Sequence, residues 1–298
     1  MTQKRETVRN PHPLSSDGRA VRIAFSAKKG GSGKTMLTAN MAAMFANEGY
    51  RVLIIGQDSQ EDLAEAYLSG TSGYDIDNHS TLCDVLTGET GICDAAYTTR
   101  EYRKYRFNPQ AIMPKHFRTP EEGETYTIDI VPAGRSVSAL ESMDIRVLDG
   151  CLEEADEAYD IILFDTPPSE NNGVMQVLMV CDYIFIPVDD IAGFRSVQTL
   201  MDDIELANEN GSSARCLGVI VNKFQKNWAV DKQISELFYN SLGDMLIKDP
   251  IPLHATIKSA FSTGTPVVSF DQTRDAHKTI YRVYEEVKDR ILKAEGRA

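Results

Sequence analysis

The stretch "SAKKGGSGKTMLTAN" (Ser26–Asn40) holds the densest chemistry in the sequence. It nearly fits the phosphate-binding spacing G-x-x-x-x-G-K-[ST], but Lys28 stands at the first glycine and Lys29 follows it. Glycines lack a Cβ, so successive backbone N–H groups can turn towards an anion. A helix starting near Lys34 would aim the positive end of its dipole at the same place. Gly30, Gly31, Ser32, Gly33, Lys34 and Thr35 are therefore the expected nucleotide-binding residues, with Lys34 on the β- and γ-phosphates and the Thr35 hydroxyl on Mg²⁺. Lys29 is surplus to that arrangement. A second lysine on the rim is expected to point outward, to a nucleotide held by another copy of the chain. There it would offset the repulsion between two facing triphosphates, as a trans-acting arginine finger does.

Two carboxylates and an amide complete the candidate site. Asp58, in "GQDSQ", follows an apolar run and could orient the water that attacks the γ-phosphate. Asp165 ends "DIILFD", the most apolar run of the chain. A charge at the end of a buried strand needs a partner, and Mg²⁺ reached through a water is the natural one. Pro167 and Pro168 stiffen the exit, and Thr166–Gly173 reads as a switch that senses the γ-phosphate. Asn222 closes "GVIVN"; its amide can donate to and accept from an adenine edge, although taken alone it reads equally as a turn residue.

These residues need elements to carry them. The 298 residues are 42% hydrophobic and 25% charged, an ordinary globular composition. Apolar β-branched runs at Val21–Ser26, Arg51–Gly56, Thr127–Pro132, Asp160–Asp165, Asp182–Val188 and Cys216–Asn222 are too continuously apolar for half-exposed strands. Helix-length stretches lie between them, at Lys34–Glu48, Arg135–Glu157, Asn172–Cys181, Phe194–Asn210 and Asp231–Leu242. The alternation predicts a doubly wound α/β fold, a mainly parallel sheet with helices on both faces and ligands at the strands' carboxyl ends. One domain over 21–298 is expected, after a flexible arm at 1–20. Arg100–Arg118, "REYRKYRFNPQAIMPKHFR", interrupts the rhythm as a basic, aromatic-rich insertion reaching to about 124. The five cysteines form no C-x-x-C pair and the five histidines no metal-spacing cluster, which disfavours disulfide and metal frameworks. No run is long enough for a membrane span.

With these residues in view, the chain resembles the ParA/MinD class of deviant Walker A P-loop ATPases, specifically the ParA-type partition ATPases. "KGGSGKT" is similar to the class's signature loop, whose first lysine works in a nucleotide sandwich dimer. "RVLIIGQDSQEDL" is similar to the strand and D-x-D-P-Q segment, with Gly56 in place of the first aspartate, and "YDIILFDTPPS" to Walker B and its switch. "TLCDVLTGE", "IDIVPAG", "GVIVNKF" and "FSTGTPVVSFD" fall where such proteins carry comparable stretches, so the resemblance covers about residues 21 to 292 apart from the insertion. It implies the P-loop NTPase fold and slow, partner-stimulated ATP hydrolysis. It implies catalytic roles for Lys29, Lys34 and Asp58, a base contact by Asn222 with Pro252 nearby, and ATP and Mg²⁺ as cofactors.

The resemblance further implies an ATP-dependent homodimer that binds DNA non-specifically and is released when a ParB-like centromere-binding partner stimulates hydrolysis. The implied setting is the cytoplasm and nucleoid of a bacterium or archaeon. The net charge of −13 confines any DNA contact to a local patch. Lys223, Lys226, Lys258, Arg274 and Lys278 are its candidates, with the insertion as another. Ala276, Ile280, Val283, Val287 and Ile291 share one face of a C-terminal helix, which is expected to pack on the fold rather than lie on a bilayer. No stable membrane association is expected. Three alternatives stay open: a MinD-like positioning ATPase acting on membrane or protein cargo, a synthetase of the dethiobiotin-synthetase type, and a non-hydrolysing scaffold.

Overall fold

The computed structural model of the chain describes residues 14–111, 116–134, 143–167, 172–224, 236, 238–270 and 274–297. The expected apolar runs all form strands: β1 (Val21–Phe25), β2 (Val52–Gly56), β6 (Asp129–Val131), β7 (Ile161–Asp165), β8 (Tyr183–Val188) and β9 (Arg215–Val221). With a short β3 (Tyr97–Thr98) they make one seven-stranded sheet in the order β3-β6-β2-β7-β1-β8-β9. Every neighbouring pair is parallel except β3 with β6. Parallel neighbours need crossovers, and those crossovers cover both faces.

Alternation along the strands divides the core. Ile23, Phe25, Ile161 and Leu163 face one layer, whereas Ala24, Ile162 and Phe164 face the other. The first layer holds α1 (Lys34–Asn47), α2 (Asp62–Leu68), α7 (Ala255–Ser262) and α8 (Arg274–Ala294). The second holds α3 (Leu82–Leu86), α4 (Glu153–Ala158), α5 (Asn172–Val180) and α6 (Ile191–Glu209). The predicted face of the C-terminal helix packs as expected: Ala276, Ile280, Val283, Val287 and Ile291 are all fully buried.

Three expectations need correction. The helix at Arg135–Glu157 is much shorter: within the described residues, a 3-10 turn at Asp149–Cys151 leads to α4, and 135–142 lie outside them. The arm is not free up to residue 20. Leu14 is buried in the core, the Ser16 N–H donates to Glu295 (2.9 Å), and Arg19 pairs with Asp182. The helix at Asp231–Leu242 is described only at residue 236 and from 238 onward.

The third correction is the insertion, which is a built hairpin. β4 (Tyr102–Phe107) pairs antiparallel with β5 (Arg118–Tyr126). Its aromatic side chains turn inward: Tyr102, Tyr105, Phe117 and Tyr126 are buried. Asn47 of α1 clamps the strand by donating to the Tyr105 carbonyl and accepting from its N–H, both at 2.8 Å. Tyr102 donates to the Gly264 carbonyl (2.7 Å), and Arg118 lies over the Tyr105 ring while donating to the Val268 and Phe270 carbonyls. Arg100 donates to the Thr263 and Gly264 carbonyls. The facing strand brings carboxylates, pairing Arg106 with Glu121 (2.9 Å) and Lys104 with Glu124 (3.8 Å). Two of its cations are thus paired with carboxylates, and its buried rings are core rather than stacking platforms for bases.

Candidate functional site

The carboxyl ends of β1, β2, β7, β8 and β9 converge on the loop between β1 and α1. Gly31 (φ 76°) and Gly33 (φ 95°) hold the left-handed conformation that turns the loop. Gly33 is fixed sterically too: a Cβ there would lie 2.0 Å from Asn222 Nδ2. Lys34 is buried, with Nζ donating to the Lys29 carbonyl across the loop (3.3 Å). Burial pulls its ammonium below the ordinary lysine range, against the pull of Asp165, Asp58 and Asp189.

Thr35, Asp58 and Asp165 line one small cavity, as the sequence predicts, and Glu61 joins them. Burial pushes the Asp165 carboxyl up to about 7, aided by Asp58, while the Thr35 hydroxyl and Lys34 pull it down. Asp165 Oδ1 is buried without a hydrogen-bond partner, as is Ser32 Oγ. A hard oxygen donor left orphaned beside a threonine hydroxyl fits Mg²⁺, directly or through water. Asp58 is half-buried; its Oδ1 accepts from the Gln60 N–H (3.0 Å), and its other oxygen stays available. Thr166, where the expected switch begins, donates to the Phe25 carbonyl (3.2 Å); 168–171 of that segment lie outside the described residues.

Gly56 has a structural explanation. A Cβ there would come within 3.3 Å of the Ala133 N and the Val131 carbonyl. A side chain at this position would therefore crowd the end of β6.

Asn222 braces the loop. Its Nδ2 donates to the Ser32 carbonyl (2.7 Å) and its Oδ1 accepts from the Lys223 N–H (2.9 Å). It also borders a cleft of about 420 Å³ lined by Met36, Pro252, Ile257 and Phe261. That cleft is apolar and large enough for a purine. Pro252 reaches it through a bridge to Phe224.

Of the basic candidates, Lys223 and Lys258 border the same cleft. Lys223, in a left-handed conformation (φ 57°), turns its ammonium onto the Gly31 carbonyl, 3.9 Å from Asp189. It belongs to the phosphate loop, which corrects its expected place on a DNA face. Lys258 borders the purine-sized cleft, and Lys278 lies over the Phe117 ring. Lys226 and the Arg274 side chain lie outside the described residues.

Lys29 turns its ammonium to two acids of its own chain. Its Nζ is 2.9 Å from Asp189 Oδ1 and 2.7 Å from Asp190 Oδ2, between β8 and α6. Burial alone would lower its pKa, but Asp190 and Asp189 outweigh that and raise it. Lys28 also pairs with α6, at Asp203. The sequence reading missed these acids, and it missed Glu61, which accepts from the Gly134 N–H (2.8 Å). The signal for Asp190 was present: "PVDD" ahead of a helical pattern is an N-cap signature.

This phosphate loop, joined to a β-strand-end aspartate in a parallel sheet, defines a P-loop ATPase. Residues 20–215 match the AAA domain family, and the chain belongs to it. The chromosome partitioning protein ParA of Caulobacter vibrioides is 25% identical over 287 residues, spanning 91% of this chain and 97% of that one. The resemblance to ParA-type ATPases is thereby borne out. Apo McdA from Cyanothece shares the fold with a TM-score of 0.70 at 17% identity, over 90% of this chain and 99% of that chain. So does cobyrinic acid a,c-diamide synthase from Mycobacterium smegmatis, solved with an ATP analogue and magnesium. There the TM-score is 0.62 at 18% identity, over 82% of this chain and 91% of that chain. One fold therefore serves both kinds of protein, and function has to be argued from the site.

Proposed function

We propose that the chain is a partition ATPase whose ATP- and Mg²⁺-loaded sandwich dimer binds DNA non-specifically and comes apart on hydrolysis. Lys34 and the N–H groups of Gly30–Gly33 hold the phosphates, Thr35 and Asp165 hold the metal, and Asp58 orients the attacking water. When bound, Mg²⁺ neutralises charge developing on the phosphate oxygens. The adenine lies in the cleft beside Asn222 and Pro252. The unused face of the Asn222 amide serves the base while its engaged face holds the loop. Release is triggered by a ParB-like centromere-binding protein, and the working place is the nucleoid. Among the described residues no helix is long and apolar enough to cross a membrane.

The observation carrying this reading is Lys29, a loop lysine turned out of its own cradle while Lys34 occupies it. A small-substrate synthetase has no use for such an outward cation. The experiment is mass in solution with and without ATP and Mg²⁺. The parent is expected to double in mass with both, and Lys29→Ala to stay monomeric. Dimerisation of Lys29→Ala at the parent's ATP concentration would refute the reading. Retention on plain duplex DNA, compared with liposomes, separates the partition reading from a membrane-positioning one.

A further inference from the structure

Lys29 cannot sit between two carboxylates of its own chain and also reach a nucleotide on a facing copy. In the single chain its ammonium is held by Asp189 and Asp190, whose side chains are 12% and 46% exposed, against 35% for Lys29 itself. The dock is built into the fold. β8 is hydrogen-bonded to β1, so the acids that end β8 stand beside the loop that leaves β1. Asp190 is doubly committed, because its Oδ1 caps α6 at the Gly193 N–H (2.7 Å) while Oδ2 takes Lys29. Lys223 stands 3.9 Å from the other oxygen of Asp189, held in place by its left-handed backbone and its contact to Gly31. When Lys29 departs, that cation stays close to Asp189, so the half-buried acid is not left uncompensated.

We infer that Asp189 and Asp190 are positioning residues that hold Lys29 in cis and compete for it with the partner copy's triphosphate, setting the ATP concentration at which the dimer forms. The inference rests on the sandwich-dimer reading above. The competition has a definite sign. Every interaction Lys29 makes with the dock is lost on dimerisation, so weakening the dock favours the dimer. This distinguishes it from a structural role, whose loss disfavours assembly.

The test uses the full chain with Mg²⁺ and a non-hydrolysable ATP analogue, titrated while mass is followed by light scattering. Asp189→Asn and Asp190→Asn remove charge and keep shape, and asparagine at 190 preserves the cap on α6. Each is expected to lower the nucleotide concentration at half-dimerisation by about three- to ten-fold, the scale of a partly exposed ion pair. Asp202→Asn makes the same change of charge on α6, where the aspartate accepts from Gln198, and is expected to shift nothing. Labelling of the free chain with an amine-reactive reagent reads the dock directly, and Lys29 should react faster in both dock variants than in the parent. A midpoint unmoved or raised in both dock variants, or a shift of equal size in Asp202→Asn, overturns the inference. If instead Lys29→Ala dimerises like the parent, it is the sandwich reading that fails, and the gating role with it.

Discussion

Gly33 and Asp165 illustrate opposite constraints on single residues. Gly33 is held by shape: its φ of 95° and the Asn222 amide 2.0 Å from a would-be Cβ leave no room for a side chain. Gly33→Ala is expected to weaken ATP binding at least about ten-fold, read with a fluorescent nucleotide, because the loop must open to admit the methyl group. Asp165 is buried with an unpartnered oxygen, at a cost in stability that its proposed metal role explains. Its folded-state pKa of about 7 lies above the unfolded carboxylate value near about 3.9. Between those values the folded chain keeps a proton that the unfolded chain has lost. Stability is therefore greatest below the lower value and falls as pH rises through the higher one. In metal-free buffer Asp165→Asn is expected to be more stable than the parent at pH 8 by about 1–3 kcal/mol, with the gain shrinking towards pH 4. Denaturant unfolding at the two pH values reads both. The same variant is expected to lose hydrolysis.

Among the elements, the hairpin β4–β5 shows what a run of basic residues can conceal. Its tyrosines, with Arg100 and Arg118, are spent on α1 and on the segment around 263–270, with Asn47 as the clamp. Asn47→Ala removes both hydrogen bonds that the side chain makes to the Tyr105 backbone. It is expected to destabilise the chain by about 1–3 kcal/mol in denaturant unfolding. Since Asn47 ends α1 and Lys34 begins it, hairpin and phosphate loop are joined by one rigid helix. Deleting residues 101–118 is for that reason expected to lower stability first, and any loss of DNA retention needs a folding control.

For the whole molecule, a net charge of −13 confines the proposed DNA contact to few residues. With Lys223 turned to the nucleotide loop and Lys104 and Arg106 of the hairpin paired, Lys258 and Lys278 carry more of the proposed contact. Under ATP and Mg²⁺, Lys258→Ala and Lys278→Ala are each expected to reduce the slope of log affinity against log salt by about one. An unchanged slope in both would move the DNA face elsewhere. Lys29, by contrast, is proposed to act between copies, so its variants should change mass before they change any salt dependence.

The sheet was legible in the sequence because strands buried on both faces must be apolar throughout, and the phosphate loop because its glycines, lysine and threonine follow one such strand. Asp58, Asp165 and Asn222 were legible as polar residues ending apolar runs. The hairpin was not. A bulge between Arg103 and Tyr105 breaks its two-residue period, so Tyr102 and Tyr105 face inward three positions apart and the pattern reads as a charged loop. The glutamates that pair with Lys104 and Arg106 arrive only through strand pairing. Lys29 is the sharpest case. That it is surplus to its own nucleotide follows from spacing along the chain. Its resting partners lie 160 and 161 positions away and become neighbours only because β8 pairs with β1. Local order along the chain determined which groups could do the chemistry. The tertiary fold decided which charges meet, because ion pairs depend on distance in space, and only strand order sets that distance.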